Sequence, residues 1–263
     1  MSDFVDLGEL PCTLDGGAAA RGAIGLIVLG IDQTMELEFR RLLPTDGVGL
    51  YATRLFCDNE ITPETLRAMG PRIAPATEMI MPGLHLDVVA FGCTSATMTL
   101  GEEAVFAEIR KVRPGVACTT PVTAALAAFH ALGARRIGVL TPYAPPVNAI
   151  VRQYLEGRGV EVGAFGTWNK VLDPEAARIT PQSVEEGVVR LAQAARLDAV
   201  FVSCTSIRLS ERIESIEARA GLPVTSSDHA MAWHCLRLAG VDDRVPGAGR
   251  LFQLSLDGQR AAA

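Results

Sequence analysis

Cys93 and Cys204 close the same phrase, written twice. Asp87-Val88-Val89-Ala90-Phe91-Gly92-Cys93-Thr94-Ser95 is an acid, a short apolar run and Cys-Thr-Ser. Asp198-Ala199-Val200-Phe201-Val202-Ser203-Cys204-Thr205-Ser206 repeats it. A thiol can act as acid, base or nucleophile near neutral pH once its surroundings lower its pKa, as a helix N-terminus does. Two opposed thiols can remove a proton from one face of a carbon and deliver one to the other. Equally, one sulfur can add to a double bond while the other handles protons. The hydroxyls and amides of Thr94, Ser95, Thr205 and Ser206 suit a substrate carboxylate at the same place. A lone cysteine is more often an inert core residue; a matched pair reverses that preference. Cys12, Cys57, Cys118 and Cys235 have no such counterpart and read as structural. No C-x-x-C spacing occurs, so no metal site is expected.

Strands must carry these cysteines. Both runs are short, rich in Val and Phe and without amphipathic period, as buried strands are, and open α/β sheets bind ligands beyond the carboxyl ends of their strands. Further strands are expected at 23–30, 47–55, 116–119, 136–143, 160–165 and 223–226. Helices are expected after Asp32-Gln33-Thr34, across 62–82 with interruptions, and at 101–112, 121–133, 148–157, 182–195, 210–220 and 228–238. The series is duplicated: 113 residues separate Gly25 from Gly138, and 111 separate Cys93 from Cys204. Alternating strands and helices with short connections require parallel sheets covered on both faces. The expected fold is therefore α/β, with two similar Rossmann-like domains. Each holds a four-stranded parallel sheet, and a pseudo-twofold relates them across a cleft. Asp228-His229 reads as the cap of the last helix beside a surface histidine, in preference to a proton relay, and Arg54 as a solvated arginine.

With these residues the chain resembles the aspartate/glutamate racemase superfamily over roughly residues 22–240. Within it, Thr34-Met35-Glu36-x-Glu38-Phe39 and Thr141-Pro142-Tyr143 resemble the branch of maleate cis-trans isomerases, arylmalonate decarboxylases and ectoine-utilisation proteins. The resemblance implies Cys93 as nucleophile or first-face base and Cys204 as the opposing acid or base. It further implies Tyr143 as a carboxylate ligand, Asn169 on the second domain's side of the cleft, and no cofactor. It places the last helix back on the first domain, giving 1–120 plus 228–263 as the first domain and 121–227 as the second. Maleate isomerases carry an asparagine where this chain has Asp32. An ionised Asp cannot donate to a carboxylate, so Asp32 points to a substrate with an ammonium or amidinium group; the competing reading is a helix cap.

The remaining composition narrows partners. Apolar residues make up 49% and charged residues 21% of the 263, with net charge −6 and no basic run, so nucleic acid is not an expected partner. No apolar stretch approaches a membrane span, and no basic leader precedes the first strand. A cytoplasmic enzyme with reduced thiols is expected, and a homo-oligomer stays open. The expected function is a cofactor-independent isomerase, either racemase/epimerase or cis-trans isomerase, acting on a small carboxylate. The alternatives are an arylmalonate-type decarboxylase with Cys204 as proton donor, and a non-catalytic small-acid binding module.

Overall fold

The computed structural model describes residues 4–257. Its first half runs β1 (Gly22–Leu29), α1 (Met35–Leu42), β2 (Val48–Leu55), α2 (Pro63–Arg67), α3 (Ile73–Glu78), β3 (Val88–Phe91), α4 (Thr94–Leu100), α5 (Glu102–Val112) and β4 (Ala117–Thr119). The second runs α6 (Pro121–Leu132), β5 (Arg136–Thr141), α7 (Pro145–Gly157), β6 (Glu161–Thr167), α8 (Asp173–Ala176), α9 (Pro181–Ala194), β7 (Ala199–Val202), α10 (Ile213–Ala220) and β8 (Val224–Ser226). Helix α11 (Ser227–Leu238) follows.

All strands pair in parallel, in the orders β2-β1-β3-β4 and β6-β5-β7-β8. The two α/β sheets thus share one topology, as the duplication requires. β1, β3 and β7 are buried along their whole length because helices cover both faces. The acid that opens each repeated phrase anchors the neighbouring strand. Asp87 Oδ2 accepts the amide of Ala23 at 2.7 Å, and Asp198 Oδ2 accepts those of Arg135 and Arg136 at 2.9 and 2.8 Å. Beyond the strands the match persists: Gly92 and Ser203 each donate an amide, at 2.8 Å, to Ile27 and Leu140 respectively.

Helix α6 is rich in alanine because it lies between two cores. Ala124, Ala128 and Ala131 pack in the core of β1 and β3, whereas Val122, Ala125 and Phe129 belong to that of β5 and β7. Met231, Trp233 and Leu236 of α11 enter the same core as Ile24, Leu26 and Val88. The irregular segment after α11 is held by Arg237. Its buried guanidinium donates to the carbonyls of Val241, Asp243, Phe252 and Leu254, which satisfies most of its donors. The arm before β1 leaves Phe4, Leu7, Leu10 and Leu14 exposed.

Two local features differ from the sequence reading. The stretch after Cys93 forms α4, whereas the stretch after Cys204 makes a turn, with no helix until Ser210; Thr-Ser-Ala-Thr-Met-Thr-Leu has too little apolar contrast to announce a helix. His229 is fully buried, not a surface residue: Nδ1 meets Thr225 Oγ1 at 2.9 Å and Nε2 meets the Ala248 carbonyl at 2.8 Å. Arg54 is exposed, as expected, but it also straps the turn after β1, donating to the carbonyls of Leu29, Gly30 and Asp32.

Candidate active site

Each cysteine stands just past the carboxyl end of an inner strand. Gly92 lets Cys93 reach that position: a Cβ there would overlap Met35 Sδ and Cε and stand 2.9 Å from the Ile27 carbonyl oxygen. Cys93 caps α4, with Sγ accepting the Ala96 amide at 3.4 Å and lying 3.8 Å from Ser95 Oγ. Cys204 Sγ accepts the Ser206 amide at 3.3 Å, and the Tyr143 hydroxyl favours its ionised form. Tyr143 is fixed after β5 because its carbonyl accepts from Asn148 Nδ2 at 2.8 Å and Thr167 Oγ1 at 2.6 Å.

Both thiols line one partly enclosed cavity between the sheets, with a volume of about 30 Å³, alongside Thr94, Ser95, Tyr143 and Thr205, and Cys57, read from sequence as structural, lines it too. Two bonds tie the cysteine-bearing segments across the halves. Thr34 Oγ1 donates to the Thr205 carbonyl at 2.7 Å, and Thr94 Oγ1 meets Ser227 Oγ at 2.8 Å. Buried Glu38 adds a third tie, accepting the amides of Leu209 and Ser210 at 3.0 and 2.8 Å.

Burial keeps both thiols neutral at rest. It pushes Cys93 up to about 12, opposed by the Ala96 amide and Ser95. Cys204 is raised well above its ordinary value, first by burial and then by the charge of Asp173, with Tyr143 and the Ser206 amide opposing. A neutral thiol is a proton donor; a thiolate here requires a change in the cavity's charge or hydration.

Three residues expected at the site do not line the cavity. Asp32 is 3% exposed, with Oδ1 accepting the amides of Thr34 and Met35, both at 2.8 Å. It therefore caps the start of α1, though from a buried position. Its Oδ2 has no partner, and burial pushes the carboxyl up to about 6. Ser206 turns its hydroxyl to Asp173 Oδ1 at 2.7 Å. Asn169 is exposed, in the left-handed region at φ 52°, with its amide on Thr167 Oγ1 at 3.0 Å.

Other lining residues carried no legible signal. Asp58, Glu60, Ile61, Leu66 and Met69 come from the first half and Asp173 from the second. Asp173 precedes Pro174 and opens a four-residue helix, which in sequence looks like an ordinary helix start. The loops meet over the cavity where Glu60 and Leu172 form an antiparallel bridge. Asp228 is fully buried and neither of its carboxyl oxygens has a hydrogen-bond partner. Among the described residues no group of three or more His, Cys, Asp or Glu is arranged to hold a metal ion, and no helix is long and apolar enough to cross a membrane.

Two equivalent α/β sheets that each bring one strand-end thiol, Cys93 and Cys204, to a shared cavity define a duplicated two-cysteine α/β protein. Residues 44–252 match the arylmalonate decarboxylase (Amdase) family, and the chain belongs to it. It is 29% identical over 223 residues to the arylmalonate decarboxylase of Bordetella bronchiseptica, covering 81% of this chain and 92% of that one. It is 27% identical over 241 residues to the maleate isomerase of Nocardia farcinica, covering 88% of this chain and 95% of that one. A solved structure of the Nocardia farcinica maleate cis-trans isomerase superposes with a TM-score of 0.77 at 25% identity, covering 88% of this chain and 98% of the other. That structure is a cysteine-to-serine mutant with a covalently bound succinylcysteine intermediate.

Proposed function

We propose that this chain is a cofactor-independent isomerase of a small carboxylate, working through Cys93 and Cys204. The observation that carries this reading is the placing of both thiols on one partly enclosed cavity. The covalent cysteine adduct in the related isomerase supports a sulfur-centred reaction. In a cis-trans isomerisation Cys93, as thiolate, adds to one alkene carbon, and the displaced electron pair moves into the adjacent carboxylate as an enediolate. The Cys204 thiol protonates the neighbouring carbon. Rotation about the new single bond, return of that proton to Cys204 and loss of the sulfur give the other isomer. In a racemisation, one thiolate takes the α-proton and the opposite thiol supplies its own to the other face. Both routes need one thiolate and one thiol.

Cys93 suits the nucleophilic role because its sulfur caps α4, where a developing negative charge meets the Ala96 amide. Cys204, on a turn and held neutral by burial, suits proton delivery. Thr94, Ser95 and Thr205 would hold the carboxylate. Decarboxylation is the second reading, favoured by the family match and by the neutral Cys204 thiol, which would protonate the enediolate left by loss of carbon dioxide. The presence of Cys93 favours isomerisation, since decarboxylation needs only the Cys204 thiol as proton donor. We divide the chain into 1–120 plus 228–263 and 121–227, supported by the packing of α11 on the first sheet, and assign the enzyme to the reducing cytoplasm, which free thiols suit.

Proton NMR in deuterium oxide, with maleate, arylmalonates and amino-dicarboxylates as candidate substrates, tests the reading. Isomerisation or α-proton exchange by the wild type is the expected result. Loss of carbon dioxide alone would favour decarboxylation, and inertness towards the whole series would refute both.

A further inference from the structure

The cavity that holds the thiols has a charge problem of its own. Asp173 is 6% exposed and lines it; Oδ1 takes the Ser206 hydroxyl at 2.7 Å while Oδ2 is buried without a partner. At the lip, Asp58 and Glu60 add two exposed carboxylates. None of the described residues lining the cavity is Lys, Arg or His. A partly enclosed space with one sign of charge on its walls concentrates the opposite charge and repels its own.

We propose that Asp173 is a specificity-determining residue and that this site takes a substrate bearing a cationic nitrogen, an ammonium or amidinium, opposite the carboxylate on which the thiols act. This rests on the carboxylate reading of the cavity given above and narrows it. Burial pushes the Asp173 carboxyl up, opposed by the Ser206 hydroxyl; a cationic N–H at the unpartnered Oδ2 supplies the charge that holds it ionised. A second carboxylate there would lie against that oxygen, with no cation on the wall to offset the repulsion. Asp32 does not serve this purpose, since it does not line the cavity.

The assignment also links binding to chemistry. The charge of Asp173 works against ionisation of both Cys93 and Cys204. A cation seated on Asp173 offsets that charge, so thiolate formation becomes easier when the proper substrate is bound and stays suppressed when the cavity is empty.

Two ligands of one shape decide the matter: maleate and (Z)-4-aminobut-2-enoate, four-carbon cis alkenes that differ in whether one end is a carboxylate or an ammonium. Affinities are read by titration calorimetry, or as KM where a ligand turns over. Wild type is expected to bind the aminated acid at least about tenfold more tightly than maleate. Asp173→Asn, which keeps an acceptor for Ser206, is expected to remove that preference while binding maleate as well or better. Tighter wild-type binding of maleate, failure of the aminated acid to bind, or an equal loss of both ligands in Asp173→Asn would each overturn the proposal. The wild-type comparison stands even if the variant folds poorly. Because the readout is selectivity of binding, it fails or succeeds independently of whether turnover depends on the thiols.

Discussion

The hydroxyl of Tyr143 favours ionisation of the Cys204 thiol, whereas Cys93 takes a hydrogen bond from the backbone amide of Ala96 at 3.4 Å. The two sulfurs of a duplicated fold therefore differ in how their charge can be supported. Tyr143→Phe should lower kcat about tenfold to a hundredfold, the range for a lost hydrogen bond to a charged group. It should also slow alkylation of Cys204 by iodoacetamide while leaving Cys93 unaffected. Peptide mass mapping reads both rates; unchanged alkylation of Cys204 would count against the asymmetry.

Gly92 tests the placement of Cys93. Any side chain there enters space already filled by Met35 and the Ile27 carbonyl. Gly92→Ala is expected to destabilise the protein by about 1–3 kcal/mol, as overpacking does. Adding Met35→Ala should return part of that loss beyond simple additivity, measured by urea unfolding of all four members of the cycle. Strict additivity would mean that the sulfur of Met35 does not set the constraint.

Asp32 gives a pH signature. Its carboxyl titrates near 6 in the fold against an ordinary 3.8, so the folded state holds the proton more tightly than the unfolded chain. The stabilising effect of protonation is present below about pH 4 and is lost as pH rises through about 6, a change on the order of 3 kcal/mol. Asp32→Asn keeps an oxygen for the amides of Thr34 and Met35 but cannot ionise. Its stability relative to wild type should therefore rise between pH 4 and 7, as followed by urea unfolding at each pH. A constant difference across that range would contradict the buried, unpartnered state of Oδ2.

The duplicated phrase made the architecture readable because buried parallel strands repeat as near-continuous apolar runs, and because each run ends at the ligand-binding edge. It also brought Cys93, Thr94, Ser95, Cys204 and Thr205 to one cavity; Tyr143 came from family likeness. Asp173 was invisible, since nothing in Leu172-Asp173-Pro174 distinguishes a carboxylate over a cavity from one at a helix start. Its position depends on the bridge between Glu60 and Leu172, residues far apart in the chain. Burial of His229 was equally hidden, because the irregular segment carrying Ala248 meets it and has no periodicity to read.

The central claim is that both thiols act on one bound molecule, and single cysteine variants test it most directly. Cys93→Ser and Cys204→Ser should each fold as wild type and each lose interconversion of the substrate's isomers, because serine is a far weaker acid and a poor base at neutral pH. They should differ from each other. With an unsaturated substrate, intact-mass measurement should find a covalent adduct in Cys204→Ser, where Cys93 can add but release is impaired, and none in Cys93→Ser. Undiminished turnover in either variant, or an adduct that survives loss of Cys93, would contradict the account.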